Sequence, residues 1–153
     1  MKILAFDQSS TVSGYCLLDD GNIVESGMIK KSGKDRDKRV AEMSMAICAK
    51  IDDLKPDLVV IEDVQDQNSI ATVILLARLQ GMILGYCYAH GIRVEILAPS
   101  QWRAKLKFKQ GQGVKREKLK EQASDYVAEH FELLAEIDQA EAICIGVAAN
   151  KTF

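Results

Sequence analysis

Two short apolar runs that each end in a carboxylate constrain this chain more than any other feature. One is Lys2-Ile-Leu-Ala-Phe-Asp7 and the other is Leu58-Val-Val-Ile-Glu62. Four consecutive apolar residues before each acid predict strands covered on both faces, as central parallel strands are. Parallel neighbours end on the same edge of a sheet, so the spacing places Asp7 and Glu62 side by side there. Two carboxylates held that close repel each other and must take up protons or share a cation.

The other elements follow from local patterns. Asp20-Gly21 stands between strand-like runs at 15–18 and 23–29, a strong hairpin signal. Val40, Met43, Ile47, Ile51 and Leu54 recur at steps of three and four, which predicts a helix that Pro56 closes. A second helix is expected over 70–89 and is apolar nearly all round, so it needs cover on every side. A strand follows at 92–97 and stops at Pro99. Residues 100–113 read as irregular, a third helix starts at Val114, and Asp138 opens the last one. Three antiparallel strands, a helix and two crossover strands make an α/β domain over 1–153, a mixed five-stranded sheet flanked by helices.

Cys16, Cys48, Cys87 and Cys144 are far apart, without a C-x-x-C, and only His90 and His130 accompany them. A zinc site is therefore not expected, and the thiols read as buried and reduced in a cytoplasmic protein. The first apolar run meets Asp7 too early for a signal peptide, and no membrane span is expected.

Asp138 and Glu141 lie three residues apart, on one face of the last helix. That face also carries Ala142, Ile145 and Ala149, so packing on the sheet turns both acids inward. Asp138 is also placed to cap the helix. Asp7, Glu62, Asp138 and Glu141 then converge without a lysine among them, and such a cluster is stable only when cations fill it. Oxygen-only ligands select Mg²⁺ or Mn²⁺, and two such ions suit phosphodiester hydrolysis.

The net charge of −2 hides an uneven distribution. Residues 101–120 hold eight Lys/Arg against one Glu, so the rest of the chain carries a balance of nine negative charges. Trp102, Arg103, Lys105, Lys107, Lys109, Lys115, Arg116 and Lys118 are the candidate nucleic-acid contacts. The cations would displace counterions from phosphates, and Trp102 with Phe108 would stack on unpaired bases.

Taken together, Phe-Asp7, Val-Ile-Glu62-Asp-Val, Gln80-Gly81, the basic segment and Asp138-Gln-Ala-Glu141-Ala-Ile with Gly146 resemble RuvC-type Holliday-junction resolvases. The resemblance covers nearly the full length and implies an RNase H-like fold, a homodimer and paired cuts across a four-way DNA junction. There are departures. The family usually has Asp-Pro-Gly where Asp7-Gln8-Ser9 stands, and its last acid is commonly Asp where Glu141 reaches further. Gln65 occupies about the place of an aromatic used on junction bases in cellular members. These changes and the short chain look more like phage-encoded members.

For the homodimer, the helix over 70–89 offers the expected interface, through Val73, Leu76, Leu79 and Ile83. Two other readings compete. Asp7-Gln-Ser-Ser-Thr-Val-Ser-Gly also resembles the first phosphate motif of sugar kinases and actin-like ATPases, which enclose a nucleotide between two such domains. A junction-binding protein without catalysis would share the basic segment but not need all four acids.

Overall fold

Each central strand alternates its side chains between two apolar layers, and this places a core on both faces of the sheet. The computed structural model describes residues 1–66 and 69–153. In chain order the elements are β1 (Lys2–Asp7), β2 (Val12–Asp19), β3 (Asn22–Lys30), α1 (Arg36–Leu54), β4 (Leu58–Glu62), α2 (Ile70–Ala89), β5 (Arg93–Leu97), α3 (Pro99–Lys105), α4 (Arg116–Phe131) and α5 (Ile137–Asn150). The strand order is β3-β2-β1-β4-β5. β1, β2 and β3 pair antiparallel, whereas β1, β4 and β5 run parallel, as the sequence predicts.

Ile3, Ala5, Cys16, Leu18, Leu58 and Val60 face α3, α4 and α5. Leu4, Phe6, Tyr15, Leu17, Val59 and Ile61 face α1 and α2. The β2–β3 hairpin turns through Asp20 and Gly21, both at positive φ (47° and 83°), the geometry that Asp-Gly tolerates best. Asp35 caps α1 by accepting the Lys38 N–H, and Val40, Met43, Ile47 and Ile51 fill its buried stripe.

The stretch expected to be irregular after Pro99 contains a helix instead. Pro99 sits in the first turn of α3, where its missing N–H costs nothing. The Gln101 side chain accepts the Ala98 N–H at 2.9 Å and closes that turn. α4 starts at Arg116, two residues later than expected, after Gly111 and Gly113 at φ of +100° and +86°.

α2 is long and apolar enough to cross a membrane by length and composition alone. Leu75, Leu79, Ile83 and Cys87 nevertheless lie in the chain's own core, and Arg78 pairs with Asp37 at 2.9 Å. Leu79 and Ile83 are fully buried and are not available for a partner. Leu76 is half-buried against the acidic cleft described below. The outward face carries Ile70, Ile74, Ala77, Gly81, Gly85 and Tyr88. An all-round apolar sequence cannot report that rotation.

α5 is buried from Ala140 to Ala149 because it lies between β1 and β2 on one side and α4 on the other. Two glycine contacts set how close it comes. A Cβ on Gly14, the β2 residue paired with Asp7, would stand 1.9 Å from the Asp138 carbonyl oxygen. A Cβ on Gly146 would meet Leu18 Cδ1 at 3.0 Å. Gly14→Ala forces backbone against backbone, and we expect it to destabilise the fold by about 1–3 kcal/mol or more, the usual cost of overpacking. Urea unfolding beside wild type checks this, and an unchanged midpoint would show that the first turn of α5 yields freely.

Candidate active site

Asp7 and Glu62 end adjacent strands. The β1–β4 ladder runs to Phe6 opposite Ile61, and the two acids are the next residues on each strand. α5 crosses the sheet above them, so its first turn brings Asp138 and its second brings Glu141 to the same edge. All four acids line one cavity of about 620 Å³. Glu141 is buried, and the other three are partly so. The expected convergence is therefore present. Capping by Asp138 is not: the N-cap is Glu136, with no side-chain cap.

Burial and mutual repulsion act together on these groups. The Asp7 carboxyl is held well above its ordinary range by desolvation first, then by Glu141, Glu62 and Asp138. Glu141 is pushed up to about 7 by burial and by Glu62, against Arg103 and Lys120, which pull it down. Burial also raises Glu62, opposed by a hydrogen bond from Trp102 and by Arg103 and Arg116. Among the described residues none of the four acids has a salt-bridge partner within 4.0 Å. No three His, Cys, Asp or Glu among the described residues already stand at metal-holding spacing. The donor set, carboxylate oxygens alone, is chemically that of a hard divalent cation.

The basic segment divides. Arg103 and Arg116 line the acidic cavity. Arg103 stacks over the Trp102 ring at 4.9 Å, and its buried Nε has no hydrogen-bond partner among the described residues. Lys105 and Lys107 instead line a separate groove with Phe108, Tyr126 and His130. Lys109, Lys115 and Lys118 are exposed, Lys118 within 3.4 Å of Glu121.

Trp102 corrects the sequence reading outright. It is 1% exposed, so it cannot stack on a base, and its Nε1–H donates to Glu62 Oε1 at 2.8 Å. Phe108 packs edge-on against Trp102 and Tyr126 and is half-buried as well.

Two cavity residues stand outside the candidate contacts. Lys120 lies one helical turn beyond Arg116, and that i, i+4 spacing is the signal that could have found it. Gln8 donates from Nε2 to the Glu62 carbonyl at 2.5 Å and accepts the Glu62 N–H at 3.2 Å. No spacing rule reports that contact. Gln65 and Asp66 line the cavity mouth, and Gln80 bridges Asp63 and Val64 just beneath.

A carboxyl whose folded value is raised binds its proton more tightly in the native state than in the unfolded chain. Stability of the metal-free protein should therefore fall as pH rises from about 4.5 to about 7, the ordinary and folded values for Glu141. Asp7 acts in the same direction. Urea unfolding in chelator from pH 5 to 8 should show this fall. Glu141→Gln, which mimics the protonated acid, should flatten it; an equal slope in the variant would assign the titration elsewhere.

Comparison with known proteins agrees with this architecture. The family model for "Crossover junction endodeoxyribonuclease RuvC" matches residues 3–149. Relatives with that name from Nitratidesulfovibrio vulgaris and Dictyoglomus turgidum are 24% and 28% identical over 104 residues, 65% of this chain. Those stretches make up 63% and 66% of the relatives, so the chain spans less than two thirds of their length. A structure of T. thermophilus RuvC in complex with Holliday junction substrate superposes with a TM-score of 0.76 at 16% identity, covering 97% of this chain and 91% of that one. The yeast mitochondrial Holliday junction resolvase gives 0.65 at 14% identity, covering 97% and 77%. The shared fold is the RNase H-like one. Because the family match runs from β1 into α5, across the elements that carry all four acids, this chain belongs to the RuvC family of crossover junction endodeoxyribonucleases.

Proposed function

We propose that this protein is a divalent-metal-dependent endodeoxyribonuclease that resolves four-way (Holliday) or other branched DNA junctions in the cytoplasm. The observation that carries the proposal is the convergence of Asp7, Glu62, Asp138 and Glu141 in one cavity edged by Arg103, Arg116 and Lys120. Bound among those acids, two Mg²⁺ or Mn²⁺ ions would lower the pKa of a water and stabilise the departing 3′ oxygen. The acids' part is to hold that charge. Asp7 stands between Glu62 on the neighbouring strand and the two acids of α5, which makes it the candidate shared ligand.

Arg103, Arg116 and Lys120 answer a different need. A phosphodiester is repelled by four carboxylates, and cations at the cavity edge draw it in. Lys105, Lys107, Lys109, Lys115 and Lys118 extend the positive surface outward, where they bind backbone rather than read bases. With Trp102 buried and Gln65 at the mouth, no aromatic among the described cavity residues is placed to wedge into the junction.

Asp7→Asn should abolish Mg²⁺-dependent cutting of a four-way junction. Binding to the same junction in chelator should be kept or strengthened, because a negative charge is removed. Gel assays of cleavage and of binding check both halves. Normal cleavage by folded Asp7→Asn protein would overturn the mechanism, and binding without cleavage by wild type would favour a junction-binding role.

A homodimer fits the two-fold relation of the paired cut positions. The surface for it is the outward face of α2, not the inward Leu79 and Ile83: Ile70 is 79% exposed and Tyr88 75%. Val73 and Leu76 are half-buried at its margins. A Cβ at Gly81 or Gly85 would meet nothing within 4 Å, so a second helix can approach closely. Gly81→Glu leaves the fold unstrained for the same reason and should yield monomers in sedimentation velocity at micromolar concentration. Dimers of Gly81→Glu as tight as wild type would place the interface elsewhere.

A further inference from the structure

Glu62 is held by contacts from three different parts of the chain. On one side β5 pairs with it, Glu62 opposite Leu97. On the other the β1–β4 ladder stops at Phe6 and Ile61. There the Gln8 side-chain amide takes over, donating to the Glu62 carbonyl at 2.5 Å and accepting its N–H at 3.2 Å. A primary amide has the donor and acceptor of a peptide group, so Gln8 extends the ladder by one step with its side chain. Beneath the carboxylate, Trp102 donates its single N–H to Oε1 at 2.8 Å. Its ring is fixed by complete burial and by edge contact with Phe108. Its place in α3 is set by the chain leaving β5 straight into a helix that starts at Pro99.

We propose that Gln8 and Trp102 are positioning residues that hold Glu62 with Oε1 occupied and Oε2 turned toward a divalent cation shared with the neighbouring acids. The proposal rests on the metal-dependent reading above. Both donors are neutral, and that matters chemically. An arginine or lysine paired with Glu62 would orient it as well but would cancel the charge that attracts the cation. The indole N–H fixes the direction of the carboxylate, the Gln8 amide fixes the backbone that carries it, and neither cancels the charge. Outer contacts of this kind commonly change metal affinity by about 10–100-fold when removed.

The test is calorimetric titration of Mn²⁺ into chelator-stripped protein, with thermal midpoints of the metal-free proteins beside it. Trp102→Phe keeps an aromatic ring, though a smaller one, and loses the N–H, whereas Gln8→Met keeps the length of the side chain and loses the amide. Each should weaken the tighter Mn²⁺ site about tenfold or more, by an amount that does not track its change in thermal midpoint. If Trp102→Phe does not fold, Gln8→Met decides the matter. Mn²⁺ affinity within twofold of wild type in folded variants, even with a lowered midpoint, would mean the contacts are only structural and would overturn the proposal. A wild-type protein that takes up no Mn²⁺ would overturn the metal reading itself.

Discussion

Repulsion among four carboxylates is the interaction around which the rest of the molecule is arranged. At the effective dielectric of about 20 that suits protein sites, two unit charges at contact distance cost a few kcal/mol. That is a large part of the roughly 5–15 kcal/mol by which a domain is stable. A cluster of this kind persists only where the backbone beneath it cannot relax. Here β1 and β4 are fully buried over their central residues, and α5 is buried over most of its length. The acids stand on the most rigid elements of the fold, so strain in the site cannot be relieved by moving them apart. Protons are the remaining relief without a cation, and burial first, then this repulsion, makes Asp7 and Glu141 hold theirs.

The sheet was legible because its signals are local. Alternating burial, the Asp20-Gly21 turn and the α1 stripe each depend on a few adjacent residues. Convergence of the four acids was legible too, since parallel strands share an edge and i, i+3 residues share a helix face. What could not be read depends on rotation or on distant contacts. α2 is apolar on nearly every side, so its periodicity carries no phase, and Leu79 and Ile83 turned out to face inward. Trp102 lies 40 positions from Glu62 in sequence, and only the β4–β5 pairing brings them together. Tryptophan among lysines reads as a stacking platform, yet an indole is also a large apolar group with one donor. Burial decided between those roles.

The basic segment shows why charge density along a sequence is a poor guide to geometry. Eight cations within twenty residues read as one surface. α3 and the turn after it split them, because a helix of seven residues points Arg103 and Lys105 in different directions. Arg103 faces the acids, whereas Lys105 joins the groove beside Phe108 and Tyr126. Electrostatically these are different tasks. Cations in the cavity pull the Glu62 and Glu141 carboxyls down against burial, while those outside act only through a screened field.

Glu141 is where sequence departure and geometry meet. A glutamate reaches one methylene further than the aspartate usual in the family, and the approach of α5 is fixed at two points, Gly14 under Asp138 and Gly146 over Leu18. The helix cannot retreat to a compensating distance without losing the contacts that bury it, so the extra length projects into the cleft. The electrostatics agree. Glu141 is the strongest charged neighbour of Asp7, and Glu62 is the strongest of Glu141, whereas Asp138 ranks behind both. Glu141 thus acts on Asp7 more strongly than Asp138 does, although both acids stand on α5. A change from Glu141 to aspartate draws that carboxylate back toward α5 and weakens its repulsion of Asp7.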